Sequence, residues 1–137
     1  MRIALISPAH GLRHILDLQY VREVFLGRSA STCMPLVLPL LASLTPAGVD
    51  LALIDEQTDA IDFDSPYDCV AITTITPCAT RAYEIADEFR RRGVHVVMGG
   101  LHISLFPEEA AAHADTICVG EAENTWPLFL RDLAAHR

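Results

Sequence analysis

Five short apolar runs, each followed by a stretch of helical character, limit what this chain can fold into more than any other feature. They are "RIALIS" (2–7), "VDLALIDE" (49–56), "DCVAITTIT" (68–76), "VHVVMGG" (94–100) and "DTICVGE" (115–121). Each is too short for a buried helix, and β-branched residues recur in them. Their nearly unbroken apolar character suits strands covered on both faces, as in a parallel sheet. The 51% hydrophobic content over 137 residues suits a single such domain, 1–137.

The intervening segments read as crossovers. "PLVLPLLASLTPAG" predicts a helix that starts near Leu36–Leu38, carries Pro39 in its first turn and stops by Gly48. "ATRAYEIADEFRRRG" places Ala82, Ile85, Ala86 and Phe89 on one stripe and ends at Gly93. Pro107 opens a short helix, "PEEAAAHA", and "NTWPLFLRDLAAH" is the last one. Ile15, Leu18, Val21, Val24 and Phe25 are spaced as in a helix or partly helical lid, and 27–33 reads as a loop, both inside the ambiguous segment 8–34. Strand–helix alternation with right-handed crossovers gives an α/β fold, a three-layer Rossmann-like (flavodoxin-like) domain with a five-stranded parallel sheet. Ligands of such sheets sit at the carboxyl ends of the strands.

Bulk properties exclude several roles. A net charge of −8, ten arginines and no lysine argue against a nucleic-acid surface. The one basic cluster, Arg90–Arg92, falls where cations complement a helix C-terminus. No apolar run approaches the roughly 20 residues of a membrane span. "MRIALISP" reads as a first strand and not as a signal peptide, so a cytoplasmic location is expected. Cys33, Cys69, Cys78 and Cys118 match neither a zinc pattern nor a disulfide framework.

The residues that follow the strands are Ser7-Pro8-Ala9-His10, Asp55-Glu56, Thr73 to Pro77, Gly99-Gly100-Leu101-His102 and Gly120-Glu121-Ala122-Glu123. This rim is small, hydroxylated or glycine. It suits close backbone approach to a large ligand and contains no nucleophile–base pair. A phosphoacceptor receiver would need an aspartate where Thr73 stands. A dinucleotide fold would need G-x-G-x-x-G where "SPAHGLRH" stands. No phosphate-gripping loop is present, and the first loop lacks the hydroxyls that a flavodoxin uses.

In "YDCVAITTITPCATRAYEIADEFRRRGVHVVMGGLHISLFPEEAAAHAD" and "CVGEAENTWPLFLRDL", the Gly-Gly-x-His and Gly-Glu-x-Glu-x-x-Trp motifs stand in register behind Thr-Thr-Ile-Thr-Pro. With "RIALISP" and "PLVLPLLASLTPAGVDLALIDE", these stretches resemble the N-terminal cobalamin-binding domain of cobalamin-dependent radical SAM enzymes. The resemblance covers about four-fifths of the chain. It implies a corrin across the strand ends and a nucleotide tail descending beside Thr73, Thr74, Thr76, Gly99 and Gly100. Ser7, Pro8, His10, His102, Gly120 and Glu121 join them as candidate cofactor contacts.

Two departures qualify the resemblance. The Asp-x-His-x-x-Gly whose histidine ligates cobalt in the wider fold is missing. His10 is then the candidate axial ligand, against the plain reading of a loop histidine. No Cys-x-x-x-Cys-x-x-Cys is present, so S-adenosylmethionine and an iron–sulfur cluster would belong to a catalytic domain elsewhere, in the same longer chain or in trans. The expected function is therefore a cobalamin module of a radical SAM enzyme, a methyltransferase by resemblance, and not catalytic alone. The alternatives are an interaction module that has lost its cofactor and a small flavin- or nucleotide-binding protein. For the other candidates the plain readings are helix entry for His102, capping for Glu123 and core packing for Trp126.

Overall fold

The computed structural model describes residues 1–9 and 36–135. The predicted helix at Ile15–Phe25, the loop over 27–33, His10, His14 and Cys33 lie outside the described residues.

The elements run β1 (Arg2–Ser7), α1 (Val37–Leu44), β2 (Asp50–Asp55), β3 (Cys69–Thr73), α2 (Ala79–Arg91), β4 (His95–Gly99), α3 (Leu101–Leu105), α4 (Pro107–Ala110), β5 (Thr116–Ile117) and α5 (Ala122–Ala134). A single 3-10 turn, Thr76–Cys78, leads into α2. The sheet order is β2-β1-β3-β4-β5, and every pairing is parallel. This is the five-stranded flavodoxin-like order expected from the alternation of runs.

Side chains alternate across the strands and build two cores. Ala4, Ile6, Val70, Ile72, Val96 and Met98 pack with Ala82, Ile85, Ala86 and Phe89 of α2. Ile3, Leu5, Cys69, Ala71 and Val97 pack on the other face with Leu38 and Leu41 of α1 and Trp126 and Leu130 of α5. Helices therefore cover both faces, giving three layers. Among the described residues, no helix is long and apolar enough to cross a membrane.

Local chemistry explains the boundaries. Gly93 adopts φ +78°, and the Gly93 and Val94 amides return to the carbonyls of Arg90 and Phe89, closing α2. The arginines of its last turn and C-cap are engaged in ion pairs: Arg90 with Asp115, Arg91 with Glu88, and Arg92 with Glu88 and Asp64. Helix α1 stops at Leu44, earlier than its glycine suggests, because Thr45 precedes Pro46 and turns extended, φ −85° and ψ 130°.

Two elements differ from the sequence reading. Strand β5 pairs only over Thr116–Ile117. Past Cys118, whose amide still reaches the Met98 carbonyl at 2.8 Å, the chain turns off the sheet at Gly120, φ +82°. Helix α3 occupies what reads as a loop; five residues are too few to show a helical period.

Candidate functional site

The carboxyl ends of β3, β4 and β5 open into a cavity on the face covered by α1 and α5. Its enclosed volume is about 40 Å³, and it opens to solvent at the mouth. Leu38 and Leu41 form one wall and Trp126 another, over a floor of Ala71 and Val97. Thr73, Gly99, Gly100 and Gly120 surround the upper part. The chamber is thus apolar in depth, with a hydroxyl and glycine backbone near the top.

Trp126 ties the walls together. It is buried, stacks on Phe129 with ring centroids 5.5 Å apart, and donates its indole N–H to Thr45 Oγ1 at 3.0 Å. Thr45 Oγ1 in turn donates to the Leu41 carbonyl at 2.7 Å. The helix that follows β5 is thereby fastened to the end of the helix that precedes β2. The core reading of Trp126 and a lining role coincide in one side chain. Cys118 also faces the cavity, and burial raises its thiol pKa, keeping it protonated and unreactive.

The structure brings together only part of the predicted set. Thr73, Gly99, Gly100 and Gly120 line the cavity. Ser7 and Pro8 are buried at the end of β1, where the Ser7 carbonyl accepts the Glu56 amide at 3.0 Å. Thr74 is buried, and its hydroxyl donates to the Ile75 carbonyl at 3.0 Å. Thr76 is exposed at the start of the 3-10 turn, with Oγ1 3.3 Å from His102 Nδ1. His102 is buried towards α2 and does not line the cavity. Glu121 is exposed and precedes α5 without a capping side-chain hydrogen bond. Position 10, the candidate cobalt ligand, lies outside the described residues.

The paired glycines have different reasons to be there. A Cβ on Gly100 would stand 2.6 Å from the Thr74 carbonyl oxygen and 2.8 Å from its nitrogen, and the residue already has φ +102°. What crowds Gly100 is the protein's own backbone. Gly99 has no left-handed φ, and a Cβ there would meet Cys118 Cβ at 3.4 Å, an ordinary contact. Its missing side chain keeps the cavity open.

Sequence reasoning missed the apolar walls. Leu38, Leu41 and Ala122 resemble any core residue in one dimension, and no local signal separates a wall from a core. Glu56, named on the rim, is engaged within the fold itself. That carboxylate accepts from the Ala9 amide at 2.8 Å and from Arg81 at 2.9 and 2.6 Å.

With this geometry in place, comparison with known proteins is decisive. The B12 binding domain family matches residues 23–130, most of the chain. The chain belongs to that family. Two curated relatives come from Chlorobaculum tepidum. Bacteriochlorophyllide d C-8(2)-methyltransferase is 58% identical over 103 residues, covering 74% of this chain and 23% of the relative. Bacteriochlorophyllide d C-12(1)-methyltransferase is 39% identical over 107 residues, covering 77% of this chain and 24% of the relative. The B12-binding chain thus spans about a quarter of the length of these curated relatives.

Proposed function

We propose that this chain is the cobalamin-holding module of a methyltransferase of the radical SAM kind. The nucleotide tail lies in the cavity between α1, α5 and the ends of β3 to β5, and the corrin lies across the strand ends. One observation carries the reading: a match to the B12-binding family coincides with a slot of the right chemical gradient. Leu38, Leu41 and Trp126 offer the apolar depth an aromatic base needs. The Thr73 hydroxyl and the glycine backbone at 99 and 100 offer donors and close approach for the polar neck of the tail. The missing Cβ at Gly99 leaves the space that a side chain would take.

Cobalamin, when bound, supplies the methyl-carrying chemistry; the chain's residues bind, orient and shield it. S-adenosylmethionine, the iron–sulfur cluster and the acceptor belong to a catalytic domain that meets this module in the same longer chain or in trans. By likeness to both relatives, the acceptor is a bacteriochlorophyllide. His10 is proposed as the cobalt ligand on its position after β1.

The test is to mix the chain with hydroxocobalamin, remove free ligand and record the visible spectrum. Corrin absorbance should elute with the protein in about one-to-one ratio. Elution without it would overturn the reading. Replacing His10 with alanine should shift the bound spectrum while leaving the ratio intact; an unchanged spectrum would remove His10 as a ligand.

A further inference from the structure

His102 is the polar centre of a contact zone on the opposite side of the sheet from the cavity. It is 5% exposed. Its Nδ1 lies 3.3 Å from Thr76 Oγ1 and its Nε2 lies 3.2 Å from the Tyr83 hydroxyl and 3.5 Å from Glu109 Oε1. The ring packs against Phe106, with centroids 5.0 Å apart, and Tyr83 holds its other side through α2. A buried imidazole whose two nitrogens both have partners has little to offer a ligand.

Its position in the chain matters more. The His102 amide donates to the Thr74 carbonyl at 3.2 Å, and the Thr74 amide donates to the Gly99 carbonyl at 3.0 Å. Gly100 presses on Thr74 between these two bonds. The loop after β3 and the loop after β4 are therefore zipped together, with the His102 side chain as the outermost tooth, reaching Thr76. Thr73 and Gly99, paired at the ends of β3 and β4, lead directly into these two loops, and Gly100 opens the second; together they form the polar upper part of the cavity.

We infer that His102 is a positioning residue: through Thr76 and Tyr83 it sets the spacing of the two loops that grip the nucleotide tail, without touching the cofactor. This rests on the reading of the cavity as the tail's slot. Loop spacing should matter for a corrinoid that carries the tail and not for one that lacks it, such as cobinamide. A role in general folding would affect both.

The experiment uses the full chain and titrates hydroxocobalamin and cobinamide separately. His102→Ala should weaken hydroxocobalamin about tenfold, as expected for lost buried hydrogen bonds, and leave cobinamide within about twofold. Tyr83→Phe, a change on α2 behind the histidine, should weaken hydroxocobalamin in the same direction by about threefold. The double variant should be no worse than His102→Ala, since both changes act through one contact. Equal loss for both corrinoids would reduce His102 to a stability residue and overturn the proposal. An unaffected Tyr83→Phe, or additive losses, would point to direct contact between His102 and the cofactor and overturn it equally. If the unaltered chain binds neither corrinoid, the cobalamin reading itself fails, which none of these variant patterns imitates.

Discussion

Gly99 and Gly100 are neighbours in sequence with separate duties, and single substitutions distinguish them. Gly100→Ala must place a methyl group 2.6 Å from a backbone oxygen at φ +102°. It should cost at least about 2 kcal/mol in urea unfolding. Gly99→Ala meets only Cys118 Cβ at 3.4 Å, so its stability should fall by less than about 1 kcal/mol. The new methyl group narrows the slot, however, and hydroxocobalamin affinity should drop about tenfold in a spectroscopic titration. Equal stability loss in the two variants would refute the division. At this scale the sequence was legible in residue type only. The pair announces that something approaches closely, but whether that is ligand or backbone depends on Thr74, some 25 residues earlier in the chain. His102 shows a related limit of the sequence. A histidine beside a glycine-rich loop invites a ligand role, and only the position of Tyr83 and Thr76 around it reveals a ring already satisfied.

Among the elements, the cavity depends on α1 and α5 staying fastened, and Thr45 is the fastening point. Thr45→Val keeps the shape and removes the acceptor for the Trp126 indole. The unpaired N–H should cost about 1 to 2 kcal/mol in thermal or urea unfolding. Tryptophan fluorescence should also change, since the indole loses its hydrogen bond; an unaltered stability would show that the two helices are held by apolar contact alone. The helices and the four long strands were legible because their signals are local: a 3.6-residue stripe for α2, proline at the start of α1, glycine behind α2. Short elements were not. Strand β5 reads longer than it pairs because Cys118 and Val119 are apolar in sequence, while the turn at Gly120 draws the chain away from β4. Helix α3 leaves no period to detect in five residues.

For the molecule as a whole, binding and folding are linked. On the proposed reading, a cofactor seated between α1, α5 and three strand ends binds only the folded chain. Hydroxocobalamin at a hundred times its dissociation constant should therefore add about 2.7 kcal/mol to unfolding stability, and cobinamide at the same multiple of its own constant should do the same. A hydroxocobalamin-loaded chain that melts with the free one would mean adventitious association. The sequence by itself determined the order of strands and helices, the parallel sheet and the residues that gather at the strand ends. These follow from hydrophobic period and from the handedness of crossovers, which neighbouring residues already encode. Only the tertiary structure decided which side of that rim holds the cavity, that Leu38, Leu41 and Trp126 wall it, and that His102 faces away. Those facts arise where elements far apart in the chain meet, Thr45 with Trp126 and Thr76 with His102, and no local pattern carries a contact made across such a separation.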